Sequence, residues 1–299
     1  MPDVVVVGAA ARDLDPDERR GWRPGGGVSY GALLLARLGL AVGAVVGLDR
    51  VALDTGEPEA LRAAGVEVVA VELGHGPVFD NRETASGRRQ VCHEVSDPLP
   101  TAAVPAAWRQ ARAFLLVPVA GELGTAWAAV PGADAVVALG WQGLLRRLVP
   151  GEPPVRLPPS VHPIAARADV AALSREDLPP DSAGDRLEQL LARAGQSIAV
   201  TSGRSGGVYL CRTEAGGIGA RRWRAVSARR EVDPTGAGDV FLAALLAARL
   251  ILGNDAARPG AALRFAAIAA SLSVEDVGLA GVPDLAKIRL RLRETRAAD

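Results

Sequence analysis

The chain has 299 residues, 49% of them apolar, and 34 basic side chains balance 34 acidic ones. That length and apolar content suffice for one large core or two small ones, and the neutral balance gives no reason to expect a nucleic-acid or membrane partner. Lys287 is the only lysine, which excludes the phosphate loop G-x-x-x-x-G-K-[ST].

Cys92 and Cys211 lie far apart and suit a reducing cytoplasm better than a disulfide scaffold. His75, His93 and His162 lack the paired spacing of a zinc site. The first eight residues have no basic region, and their apolar run is too short for a signal or a membrane span, so a cytoplasmic protein is expected.

Residues 4–7 are a continuous valine run ending at Gly8, the pattern of a parallel strand buried on both faces. The next loop carries Asp13, Asp15 and Asp17, with Trp22 beside it as a packing residue or a lid-lining one. Pro24-Gly25-Gly26-Gly27 follows, then an apolar helix over about 31–38 that stops at Gly39. Those glycines either let backbone approach a ligand or make a tight turn. Residues 41–46 read as strand, 58–64 as helix closed by Gly65, and 66–71 as strand. This alternation predicts a parallel sheet covered by helices on both faces.

Between Gly74 and Ser96 no helical period fits. Phe79, Asn81, Glu83, Gly87, Gln90, Cys92 and Glu94 alternate as in an antiparallel hairpin, placed to flap over a site opened by the first loop. Buried strands follow at 113–117 and 135–139, with a short helix between. The segment 140–146 comes straight after a strand end, where open α/β sheets put ligand-contacting loops. Gln142 and Arg146 therefore stand open between surface and site. The proline-rich stretch 150–163 is a surface crossing.

A strand at 170–173 leads into Ser174-Arg175-Glu176-Asp177, and a helix is expected over 187–194. Strand 198–200 runs into Thr201-Ser202-Gly203-Arg204-Ser205-Gly206-Gly207. An antiparallel pair at 208–211 and 221–226 extends the sheet edge, and helices close the chain at 261–273 and 284–293.

Ahead of those last helices stands Asp233-Pro234-Thr235-Gly236-Ala237-Gly238-Asp239, after which Phe241, Leu242, Leu245, Leu246 and Leu250 recur at helical spacing. A bare turn that opens a helix offers unpartnered N–H groups and the positive end of the macrodipole, hence an anion site. Asp239 falls in the first helical turn. The plain alternative is a helix start whose acid complements the dipole, worth under about 1 kcal/mol. An acid beside an anion site suggests base chemistry next to a phosphate.

The stretch 233–239 resembles the C-terminal signature of the ribokinase (PfkB) family of carbohydrate kinases. Gly25-Gly26, followed by Ala32 and Ala36-Arg37-Leu38-Gly39, resembles the N-terminal signature. Gly8 with Asp13, Gly47 with Asp49, Ala64-Gly65-Val66, Thr201-x-Gly203-x-x-Gly206 and Leu263-Arg264-Phe265-Ala266 add weaker matches.

This resemblance implies one ribokinase-like α/β kinase domain over 1–299. Its mostly parallel, doubly wound sheet would carry helices on both faces and a small β lid from about 12–24 and 74–96. It implies transfer of phosphate from ATP, with magnesium and room for a monovalent cation, to a hydroxyl of a sugar or polyol. Asp239 would be the base, and the N–H groups of Gly236, Ala237 and Gly238 the anion hole. Asp13, Gly25 and Gly26 would touch the acceptor, and Thr201, Gly203 and Gly206 would lie along the nucleotide.

Departures from the family pattern are also legible. Tyr30 stands where the family commonly has an Asn that helps hold the sugar, so altered acceptor recognition is expected at Tyr30. An N-x-x-E motif that organises magnesium appears as Ser174 to Asp177, which reads equally as a helix N-cap with a first-turn carboxylate. Another frequent Asn, near the adenine site, is Ala267. Pro234 resembles a subgroup that includes plant inositol kinases. Arg88-Arg89 is a solvated lid edge or an acceptor contact. A nucleoside acceptor, or a catalytically silent nucleotide-binding regulator, is the alternative function, and the exposed edge of a β lid would serve a homodimer. A dinucleotide oxidoreductase is excluded, because Gly8 is followed by Ala9-Ala10-Ala11-Arg12 in place of G-x-G-x-x-G.

Overall fold

The computed structural model describes residues 1–54, 56–84, 87–180, 185–252 and 259–297. The valine run forms β1 (Val4–Ala9), a central strand of a nine-stranded sheet. Val4 and Val6 pack into the core on one face, and Val5 and Val7 into the core on the other. Both faces are covered, so β1 shows no polar alternation.

In chain order the N-terminal half continues with β2 (Ala11–Leu14), β3 (Trp22–Gly25), α1 (Gly27–Arg37), β4 (Val42–Leu48), α2 (Arg50–Leu53), α3 (Glu57–Ala63), β5 (Glu67–Glu72), β6 (Val78–Thr84) and β7 (Gly87–Glu94). Then come β8 (Ala113–Leu116), β9 (Val136–Gly140), β10 (Arg146–Arg147), β11 (Val155–Arg156), α4 (Pro163–Arg167) and β12 (Val170–Ser174). The chain ends with α5 (Asp185–Gln189), β13 (Ser197–Thr201), β14 (Gly207–Arg212), β15 (Ile218–Trp223), α6 (Ala237–Leu252), α7 (Gly260–Ser273) and α8 (Leu285–Ala297).

The large sheet has the order β15-β14-β13-β12-β9-β8-β1-β4-β5, parallel except for the two edge strands β14 and β15. The strand order reverses between β1 and β8. In doubly wound sheets the carboxyl ends at such a point open the ligand crevice. A second sheet, β3-β2-β6-β7, stands over that crevice. It draws on the two segments expected to pair, and Trp22 is buried in it with Arg12 and Arg20 over its ring. Among the described residues no helix is long and apolar enough to cross a membrane.

After its first turn, helix α6 is buried from Val240 to Arg249 without a break. Burying Phe241, Leu242, Leu245 and Leu246 contributes about 1.5–3 kcal/mol each, which dwarfs any cap. At its far end the buried Arg249 donates to Asp169 O (3.1 Å), Ser197 Oγ (2.8 Å) and Tyr209 Oη (3.0 Å).

Two expectations shift. Helix α1 begins at Gly27 instead of about residue 31, because Gly26 takes φ 95° and starts the helix directly from the glycine turn. Helix α5 ends at Gln189, short of residue 194, because the Gln196 side chain accepts the N–H groups of Ala192 (2.8 Å) and Arg193 (3.0 Å) and draws the chain out of the helix.

Candidate active site

A cleft of about 2000 Å³ runs between the carboxyl ends of the large sheet and the second sheet. Of the residues singled out in the sequence, Asp13, Gly26, Ser174, Asp177, Thr201, Gly203, Gly206, Gly236, Ala237, Gly238 and Asp239 line it together. Their convergence from five separate segments is produced by the fold.

Asp239 lies in the first turn of α6 on the cleft floor. Burial, then the charges of Asp177 and Asp13, push its carboxyl up to about 7, against the opposing pull of Arg146. Gly27 makes its space: a Cβ there would overlap Asp239 Oδ1, and a position the sequence left as turn is thus a notch for the acid. The turn before Asp239 holds Gly236 at φ 76°. The Ala237 N–H turns back to Pro234 O at 3.3 Å, whereas those of Gly236 and Gly238 find no backbone acceptor among the described residues. Of the three N–H groups expected to form an anion hole, those of Gly236 and Gly238 are therefore the two left without a backbone acceptor among the described residues.

Tyr30 is placed differently from its expected acceptor role. It is 1% exposed and lies behind the anion-hole turn, where a Cβ on Gly236 would strike its ring. It does not line the cleft. Burial and the carboxylates around it push its phenol upward, and its buried hydroxyl has no hydrogen-bond partner among the described residues. The large ring in place of the family Asn shapes the turn from beneath. Gly25 likewise lies off the cleft surface, and its lack of a side chain leaves room for the Asp13 carboxylate.

The sequence did not disclose what surrounds Asp13. Asn81 on β6 donates to Asp13 Oδ1 (2.9 Å), and Gln90 on β7 donates to Asn81 Oδ1 (2.6 Å). Arg146 donates to Gln90 Oε1 (3.0 Å) and, from Nε, to Val119 O (2.9 Å). Arg146 also sits 4.8 Å from the Phe79 ring centroid. The chain of bonds runs from the second sheet to the loop after β8. That loop is clamped from its other side by the fully buried Glu122, whose carboxylate accepts the N–H groups of Ala9 (2.9 Å), Val119 (3.1 Å) and Ala120 (2.8 Å). Glu122 carried no local motif, and its partner at residue 9 is 113 positions away.

On the opposite wall, Thr201 ends β13 and the Gly203 to Gly206 turn follows, with both glycines at positive φ. Trp223 stacks on Phe241 at 5.3 Å and 16°, and its indole covers Gly207. Val226, Ala267, Ala270 and Val274 continue this apolar surface. Ser174 Oγ accepts from Glu176 N (3.2 Å), and Asp177 Oδ2 accepts from Ser174 N (2.8 Å), so the segment is a reciprocal cap. Gln142 donates to the other Asp177 oxygen at 3.2 Å. Among the described residues no group of three or more His, Cys, Asp or Glu is arranged to hold a metal. Arg89 lines the cleft, and the Arg88 side chain lies outside the described residues.

Residues 162–285 match the model of the pfkB family carbohydrate kinase. No curated protein sequence matches the chain. The whole chain is similar to solved structures. A pyrophosphate-dependent kinase in the ribokinase family, complexed with a pyrophosphate analog and myo-inositol, has a TM-score of 0.73 at 20% identity, covering 97% of this chain and 99% of that one. Ribokinase from Giardia lamblia gives 0.73 at 16% identity, covering 98% and 99%. Arabidopsis thaliana ribokinase complexed with ribose and ATP gives 0.68 at 21% identity, covering 98% and 99%. The 162–285 segment thus resembles the PfkB carbohydrate kinases, and the chain as a whole has the ribokinase-like fold of these structures.

Proposed function

We propose that the protein transfers the γ-phosphate of ATP to a hydroxyl of a sugar or polyol. The observation that carries this reading is Asp239: an acid at the start of a buried helix, beside two unpartnered glycine N–H groups, with its carboxyl raised to about 7. A base poised near neutrality takes a hydroxyl proton well, because both its ionised fraction and its basicity are then substantial. Asp13 accepts a hydroxyl of the acceptor and fixes which oxygen faces Asp239. As that oxygen attacks in line, the Asp239 carboxylate receives its proton. The Gly236 and Gly238 N–H groups meet the charge on the moving phosphoryl group.

The donor wall favours a nucleotide over a bare inorganic donor. Trp223, Phe241, Val226, Ala267, Ala270 and Val274 form an apolar surface that a purine would use and pyrophosphate would not. Magnesium usually keeps several waters and binds through one or two carboxylates plus substrate phosphates. Asp177 and Glu176 on the cleft wall suit that role, and the ion would neutralise the phosphate charge. A monovalent cation fits less well. Asp233, the acid of the turn, already accepts from Thr235 N (2.9 Å) and Gly278 N (3.0 Å), and Arg23 lies 3.6 Å away. No step here uses one.

The test is a panel of sugars, polyols and nucleosides with magnesium and either ATP or pyrophosphate, followed by release of ADP or phosphate. Acceptor-dependent ADP release is expected, reduced about 10²–10⁴-fold in Asp239→Asn. Undiminished turnover in the variant removes Asp239 as base. Turnover with pyrophosphate alone removes ATP as donor.

A further inference from the structure

The wall around Asp13 carries positive charge that phosphoryl transfer does not yet use. Arg146 is largely enclosed, and burial pulls its guanidinium below the usual arginine range. Its hydrogen bonds go to neutral oxygens only, those of Val119 and Gln90. Asp177, Glu122, Asp13 and Asp239 act on it from a distance, and among the described residues no carboxylate lies within ion-pair reach. A cation withdrawn from water without an anion against it is costly. Three of the five N–H groups of Arg146 are in use, so two remain to offer.

Two further arginines accompany it. Arg156 on β11 is directly opposite Arg146 on β10 in an antiparallel ladder, so both side chains leave the same face. Like charges placed so repel each other. Arg89 on β7 is exposed, and all three line the same cleft. On the donor side Arg204 is paired with Glu231 (2.7 Å) and Arg229 with Glu294 (2.7 Å), while Arg230 donates to the backbone oxygen of Glu275 (3.2 Å). One end of the bonded chain from Asp13 through Asn81 and Gln90 thus presents a carboxylate suited to hydroxyls. The other end presents a guanidinium that, among the described residues, has no carboxylate in direct contact.

We propose that the acceptor is an anionic polyol, a sugar acid or a sugar phosphate, whose carboxylate or phosphate is held by Arg146 with Arg156 and Arg89 while its hydroxyls meet Asp13. This narrows the acceptor class within the kinase reading given above and rests on it for the chemistry. Binding can be tested separately from turnover.

Calorimetric titration without nucleotide would use gluconate, ribose 5-phosphate and neutral myo-inositol, on the wild type, Arg146→Gln and Arg156→Gln. At least one of the two anions is expected to bind tenfold or more tighter than myo-inositol, and to weaken as sodium chloride is raised. Which of them binds tighter tells carboxylate from phosphate. Arg146→Gln should lose affinity for the anion by a much larger factor than for myo-inositol, whose hydroxyls meet Asp13 at the other end of the bonded chain. Arg156→Gln, at an exposed position, should lose a few-fold, and it tests the subsite even if Arg146→Gln fails to fold. Equal or tighter binding of myo-inositol, or an equal loss for neutral and anionic ligands in both variants, overturns the proposal. Turnover of the same panel with Mg-ATP separates the two readings. An anion that binds in an Arg146-dependent way but is never phosphorylated removes the kinase reading and leaves the subsite. Efficient turnover of neutral polyols over both anions does the reverse.

Discussion

The two walls of the cleft are built by different means. On the donor and base side, the 233–239 turn and the 201–206 turn act through backbone: positive-φ glycines, N–H groups and one carboxylate contiguous in sequence. On the acceptor side, Asn81, Gln90, Arg146 and Asp13 act through side chains delivered by four separate segments. The first kind of site is short-range and readable from a few consecutive residues. The second exists only after the sheets have packed, and its tuning can change without disturbing the first.

The sharpest way to break that contrast is at Gly27, which packs against Asp239 and Val117. Gly27→Ala keeps a residue that α1 accepts, yet its Cβ would displace Asp239 Oδ1. A misplacement on the order of 1 Å at a reacting group costs about 10²-fold, so kcat should fall by that order, with a melting temperature lowered by a few degrees because the Cβ also crowds Val117. Unchanged kcat would show that Asp239 has another way to its proton.

Next in size is the pH response. The Asp239 carboxyl is raised to about 7, and only its ionised form accepts a proton. The rate should therefore drop about tenfold per pH unit below 7 and level off above it. A profile flat down to pH 5.5 would contradict this assignment. On the acceptor side the expected change is smaller. Asn81→Leu cuts the bonded chain in the middle, and a rise in KM of about tenfold with a lesser effect on kcat is the outcome that separates acceptor positioning from chemistry.

The smallest effect is on stability. A carboxyl whose folded pKa is raised is free of penalty below about 3.8, where it is protonated folded and unfolded alike. The penalty grows as pH climbs through the unfolded value and is complete above the folded one. Asp239→Asn should thus melt a few degrees higher than the wild type at pH 8 and show little difference at pH 4. Equal melting curves at both pH values would mean that the charge is better solvated than its surroundings indicate. Glu57, also raised to about 7 by burial and opposed by its bond to Ser29, predicts the same sign for Glu57→Gln.

Much of the scaffold was legible because it follows from periodicity. The valine run of β1, the strand–helix alternation and the alternating hairpin at 78–94 each specify a local state, and glycines mark their ends. Asp239 and its turn were legible for the same reason. The acceptor role expected of Tyr30 was carried over from the family's Asn at that position, whereas in space the larger ring packs under Gly236 and off the cleft surface. Glu122 and Arg146 were missed or left undecided because nothing near them in the chain reveals their partners. Their meaning comes from Ala9 N, Val119 O and Gln90, all of which reach them through tertiary structure. Ser174 and Asp177 could be read two ways, and their mutual capping bonds give the helix-cap reading a geometric basis without removing Asp177 from the cleft wall.

Arg249 has a mechanical consequence. By tying the far end of α6 to β13, β14 and the start of the β12 segment, it joins the helix that carries Asp239 to the strands of the opposite cleft wall. The β3-β2-β6-β7 sheet is tied to the rest of the chain by bonds of another kind, the side-chain pairs Arg12 to Asp49 and Arg146 to Gln90 and the backbone bonds of Cys92 with Glu152 and Gly151.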